Sequence, residues 1–137
     1  MQQEPRAAFL PGLSRDVIAR LVDDGQAQSV AEAAVAEAVA RGARVRFVQV
    51  VDPGLTPEDQ CRSDQATFGA ALRALRGSRG IPCRFELVTG DPTGTLLELA
   101  EAASAIVVGA EPGDGILVQQ CRQHSDCQIV TVPVGAA

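Results

Sequence analysis

Five short runs of β-branched and other apolar residues are spaced along this chain, and a stretch of helical periodicity separates each from the next. They are "DVIARLV" from Asp16, "ARVRFVQVV" from Ala43, "CRFELV" from Cys83, "AIVVG" from Ala105 and "QIVTVPV" from Gln128. Parallel strands need a crossover of a dozen or more residues, and a helix is the usual one. The alternation therefore predicts an α/β fold, a single doubly wound five-stranded parallel sheet with helices on both faces. The core material agrees. Apolar residues make up 46% of the 137, yet the aromatics are four Phe and nothing else. Val, Leu, Ile and Ala must fill the interior, as in sheets covered on both faces. A chain of this length can bury such a core without metal or disulfide staples.

The helical stretches carry their own punctuation. In "AQSVAEAAVAEAVARG" Val30, Ala34, Val35, Ala38 and Val39 recur at helical spacing, and Gly42 stands where a C-terminal glycine belongs. Thr56-Pro57-Glu58-Asp59 opens a second helix: Thr56 can cap, Pro57 suits the first turn, and the acids favour the positive end of the dipole. That helix is predicted to reach about Arg76 and to bury Phe68, Leu72 and Leu75. Asp91 with Pro92 behind it starts a third, and "ILVQQCRQH" reads as a short fourth. Residues 1–15, with two prolines and Gly12, read as an irregular arm ahead of a domain spanning 16–137.

Charge and cysteine usage exclude several function classes. A net charge of −5 argues against a general nucleic-acid or anionic-membrane binder, which needs a basic face. All twelve cationic side chains are Arg, so no lysine-dependent chemistry is open to the chain. No segment approaches the roughly 18–20 continuous apolar residues that span a bilayer. The first residues lack a basic n-region followed by an apolar run, so a cytoplasmic location with reduced Cys61, Cys83, Cys121 and Cys127 is expected. Cys121, His124 and Cys127 are three apart, but three residues are one short of a structural zinc site and the last falls at the next strand, so no metal is expected. No oxyanion hole or orienting group accompanies a Cys–His pair, and no catalytic residue is assigned.

In such a sheet ligands bind beyond the carboxyl ends of the strands, at the point where the winding reverses. With the first strand central, that point lies between strands one and four. Asp23-Asp24-Gly25 and the loop carrying Gly109, Gly113 and Gly115 meet there. The glycines read either as an anion-binding nest or as a tight turn that needs residues without Cβ. Asp23 and Asp24 read as contacts to a ribose or adenine, as a metal pair, or as caps of the first helix. Paired acids after a first strand also suggest a phosphoacceptor receiver domain. That family needs a lysine after the last strand and an aspartate ending strand three, where this chain has Val88-Thr89-Gly90.

Four stretches, in order, resemble the universal stress protein domain: "LVDDG", "ARGARVRFVQVVDP", "VTGDPTGTLLELAEAASAIVVG" and "HSDCQIVTVP". The resemblance covers Val17 to Val134 and implies the sheet order 3-2-1-4-5 of adenine nucleotide alpha hydrolase-like folds. Nucleotide-binding members carry Gly-x2-Gly-x9-Gly followed by Ser or Thr. Here five residues separate Gly109 from Gly115 where that motif has twelve, and Ile116 stands in the hydroxyl position. Asp24, Glu111 and Asp114 add negative charge near where phosphates would lie. The resemblance therefore implies a non-enzymatic regulatory or interaction protein of stress physiology that does not hold ATP tightly. The alternative is an adenine-nucleotide sensor, for ATP, AMP or a nucleoside, using Asp23, Asp24, Gly25, Val50, Val51, Gly109, Gly113 and Gly115, with Arg6 or Arg15 of the arm as a source of positive charge. Members often dimerise through the last strand, here Ile129, Val130, Thr131, Val132 and Val134, with Pro133 limiting the pairing. An arm folded over that edge is the other reading, and the protein partner is unknown.

Overall fold

In the computed structural model, which describes residues 16–51, 53–78, 80–109, 119, 123 and 127–133, every one of the five apolar runs forms a strand. These are β1 (Asp16–Arg20), β2 (Val45–Val51), β3 (Cys83–Thr89), β4 (Ala103–Gly109) and β5 (Gln128–Val132). Between the first four lie α1 (Ala27–Arg41), α2 (Pro57–Leu75) and α3 (Pro92–Ala100). All adjacent strands are parallel, in the order β3-β2-β1-β4-β5. The α/β sheet and its order 3-2-1-4-5 are those the sequence implies. Gln119 and Gln123 are helical. The rest of the expected fourth helix and the arm lie outside the described residues.

The helix ends follow the local chemistry. The Asp59 amide donates to Thr56 Oγ1 at 3.1 Å, and the Gly94 amide donates to Asp91 Oδ2 at 2.8 Å, satisfying first-turn groups that have no helical acceptor. α1 stops at Gly42, whose φ of 63° is a left-handed conformation that a Cβ would strain.

Successive strand residues point to opposite faces, which splits the core in two. Val17, Ala19, Leu21, Val45, Phe47, Ala105 and Val107 meet α1 and α2, whose contact faces are rich in alanine: Ala31, Ala34 and Ala38 beside Val30 and Val35 on α1, and Ala70, Ala71 and Ala74 on α2. Ile18, Val48, Ile106 and Val108 meet Leu96 and Ala100 of α3. Here three expectations are corrected. Val39 is 61% exposed, Phe68 47% and Leu72 48%. The buried face of α2 is Ser63, Thr67, Ala70, Ala71 and Ala74, a helical stripe of small residues that lets the helix approach the sheet closely. Phe68 and Leu72 sit about one residue, or 100°, around the helix, and so overhang the flank of the sheet.

A chain of charges crosses the first three strands on the α3 side. Arg44 donates to both carboxylate oxygens of Asp16 (3.0 and 3.1 Å), and Arg46 lies 3.7 Å from Asp16. Arg46 also donates to both oxygens of Glu86 at 2.7 and 2.9 Å, with Arg84 at 3.7 Å. The hydrogen bonds from Arg46 hold the Glu86 carboxyl below its ordinary value against partial burial, and Glu86 raises Arg46 in turn. A folded-state value below the unfolded one means stability that is present above the unfolded value of roughly 4.3 and is lost as pH falls through the folded one. Glu86→Gln should therefore lower stability at neutral pH and flatten the acid limb of a denaturation-versus-pH profile; an unchanged limb would show that the pair does not act this way.

Candidate functional site

The sheet's carboxyl edge is where the two suggestive stretches of sequence converge. β1 ends in a turn at Asp23-Asp24-Gly25, and Asp24 Oδ1 accepts the Gln26 amide at 2.9 Å. That bond closes an Asx-type turn instead of capping the helix, since Gln26 itself holds the N-cap position with no side-chain cap bond. Gly25 completes the turn with φ 88°, a conformation that glycine takes at little cost. Gly109 ends β4 on the same edge. A Cβ there would lie 3.1 Å from Gln26 Oε1. The Gln26 side chain thus reclines over Gly109, in the gap between the β1 turn and the end of β4.

Beside this turn, on the α1/α2 side of the sheet, opens a cleft of about 370 Å³ lined by Leu21, Val22, Asp23, Gln49, Leu55, Asp59, Gln60, Arg62 and Ser63. Its floor is polar and tightly bonded. Gln49, 5% exposed, donates from Nε2 to Ser63 Oγ at 2.9 Å and accepts the Thr67 hydroxyl at Oε1. Thr67, fully buried, has the Ser63 carbonyl as a further acceptor at 3.2 Å. Gln60 Nε2 donates to Asp64 at 2.6 Å, while Gln60 Oε1 is buried with no hydrogen-bond partner among the described residues. Arg62, the cation of the lining, is engaged with Asp59 at 3.1 Å.

The cleft therefore presents the Asp23 carboxylate and the Asp59–Arg62 ion pair, with the Ser63 hydroxyl proton as a donor left over from the Gln49 contact. Such a lining favours amino and hydroxyl groups and opposes polyanions. A second, smaller hollow of about 200 Å³ between the start of α1 and the middle of α2 shares Asp23 and includes Gly25, Gln28 and Arg73.

Of the residues singled out by sequence, Asp23 lines both hollows, and Asp24, Gly25 and Gly109 lie on the same edge. Val50 and Val51 end β2 half-buried and line neither of these hollows. Gly113, Gly115 and Val134 lie outside the described residues, as do Cys121 and His124. Ile129, Val130, Thr131 and Val132 form the opposite edge strand. Thr131 is exposed, Ile129 packs on the α3-side core, and Val130 and Val132 pack on the other. Sequence reasoning missed Gln26, Gln49, Gln60 and Ser63. Gln49 alone left a trace, as a polar residue in an otherwise apolar strand. Among the described residues, no group of three His, Cys, Asp or Glu side chains is placed to hold a metal ion.

No family model matches the chain, and no curated protein does. Solved structures do match. A universal stress protein from Archaeoglobus fulgidus in complex with dAMP is 21% identical, with 87% of this chain and 97% of that one aligned at a TM-score of 0.65. A protein of the universal stress protein family from Burkholderia pseudomallei is 25% identical over 89% of this chain and 98% of its own, TM-score 0.64. One from Arabidopsis thaliana with AMP bound is 16% identical over 89% and 93%, TM-score 0.58. The sheet order and these alignments along nearly the whole length agree: the chain has the universal stress protein fold.

Proposed function

We propose that this chain is a non-enzymatic regulatory or interaction domain of the universal stress protein type that does not hold ATP tightly. One observation carries the reading: the Gln26 side chain occupies the space over Gly109, where a phosphate chain crossing the switch point would need open backbone. The cleft beside it supports the same reading, because Asp23 repels phosphate and the Asp59 carboxylate offsets the Arg62 charge. The domain acts through protein contacts, with the last strand as one expected surface for a homodimer. A cytoplasmic setting suits the free thiols of Cys61, Cys83 and Cys127.

A second reading is favoured by the cleft itself. The Archaeoglobus and Arabidopsis proteins hold dAMP and AMP. A nucleoside offers the amino and hydroxyl donors that Asp23 and Asp59 would accept. Calorimetric titration with ATP, AMP and adenosine, with and without magnesium, separates the two. The expected result is no saturable heat with ATP. Saturable ATP binding would overturn the first reading. Binding of AMP or adenosine that disappears in Asp23→Ala would establish the second.

A further inference from the structure

The β3 edge of the sheet carries an unusual combination of groups. Phe68 of α2 and Phe85 of β3 stack edge to face, their ring centres 5.2 Å apart. Phe68 is 47% exposed, Leu72 one turn further along is 48% exposed, and Leu87, on the same side of β3 as Phe85, is 47% exposed. Two of the chain's four Phe thus sit at a sheet flank that is only partly covered, while Phe47 alone among the described residues supplies a fully buried ring. The strand itself, Cys83–Thr89, is seven residues long and contains neither Pro nor Lys, the usual devices that blunt an edge. Its charged residues, Arg84 and Glu86, are of opposite sign and both point to the α3 side.

We propose that this edge is a self-complementary interface at which a second copy of the chain adds its own β3 antiparallel, about a two-fold axis through Phe85. The backbone fixes which residues can pair. The Val45 amide donates to the Pro82 carbonyl, so the even-numbered positions of β3 turn their backbone groups inward to β2. The odd positions, Cys83, Phe85, Leu87 and Thr89, therefore turn theirs outward, and they must form the hydrogen-bonded pairs of an antiparallel ladder.

Charge then selects the register. Centred on Phe85, the ladder sets Phe85 against Phe85 and Cys83 against Leu87 of the second copy. It also places Arg84 opposite Glu86 of the second copy, twice by symmetry, in the closely spaced non-hydrogen-bonded pairs. Arg84 is placed to take this role: its side chain is 58% exposed, and its ion pair with its own Glu86, at 3.7 Å, is longer than a hydrogen bond. Centring on Glu86 would stack that carboxylate on itself, and centring on Leu87 would leave Arg84 facing Gly90. On the other face, Phe68, Leu72, Phe85 and Leu87 of the two copies bury one another across the axis. This interface is isologous and closes at two copies. It does not depend on the last strand: were both edges paired, copies would add in an open row and the assembly would grow past a dimer with concentration.

Sedimentation equilibrium of the full chain under reducing conditions, from micromolar to submillimolar protein, tests the interface. The expected result is self-association that Arg84→Glu weakens by roughly tenfold or more, since each substituted residue then faces Glu86. Phe68→Ser should weaken it independently, and Thr131→Asp on the last strand should leave the β3 contact intact. Register has its own readout. In a Cys61→Ser background, Leu87→Cys places a thiol opposite native Cys83 of the second copy, and mild oxidation should trap a covalent dimer. A chain that stays monomeric throughout, as it would with the arm lying over this edge, overturns the proposal. So does association that resists Arg84→Glu and Phe68→Ser, gives no trapped dimer and dissolves in Thr131→Asp; that result would leave the last-strand dimer standing. The reverse pattern removes the last-strand dimer and keeps this one.

Discussion

Phe47→Ala should cost about 3–5 kcal/mol of folding stability and lower the melting temperature by roughly 10–20 °C. Phe47 is 1% exposed within β2, and it is the largest side chain of a layer whose other members are Leu21, several valines and the alanines of α1 and α2. Removing it deletes apolar surface and leaves a void whose walls have little to give. Alanine has no rotamers with which to fill a gap, and β2 is fixed between β1 and β3 by two parallel ladders. For a domain whose total stability is on the order of 5–15 kcal/mol, that is a large share. Urea denaturation is the direct measurement, and a midpoint shift at constant slope is the expected form. A loss below about 1 kcal/mol would mean that the helices collapse onto the strand and that the layer is less rigid than its geometry implies.

Thr67→Val should cost about 1–3 kcal/mol although it conserves shape. The hydroxyl of Thr67 donates to Gln49 Oε1 in a fully buried setting, and its loss leaves that carbonyl without a donor in low dielectric. Adding Gln49→Leu to Thr67→Val should then cost less than Gln49→Leu does alone, because the stranded acceptor is removed with its carboxamide. Ser63 Oγ, which Gln49 also serves, lies at the cleft and can take a water instead. Strict additivity of the two substitutions would show that the trio does not behave as a bonded unit.

The strands and helix ends were the legible part of this sequence, for local reasons. An apolar run flanked by turn residues becomes a strand whatever it pairs with, and Thr56, Asp91 and Gly42 act on backbone within three or four residues of themselves. Orientation was not legible in the same way. Size suggested that α2 would bury Phe68 and Leu72, but the helix turns its stripe of Ala, Ser and Thr to the sheet, because close approach depends on what is small on both sides. The site was half legible. Asp23, Asp24, Gly25 and Gly109 lie at the strand ends where topology puts them, whereas Gln26 and Gln49 matter through neighbours 83 and 18 positions away. Nothing local marks a glutamine as the residue that will lie over a glycine of another strand.

The alanine layer between the sheet and the first two helices has an entropic side as well. Alanine has no side-chain torsion to freeze, so ordering Ala31, Ala34, Ala38, Ala70, Ala71 and Ala74 loses backbone freedom alone. Each contributes less burial than a leucine would, and each also gives up less disorder on folding. The surface such residues form has one shape, the same in every thermal fluctuation, so the helices can seat on the strands in essentially one way.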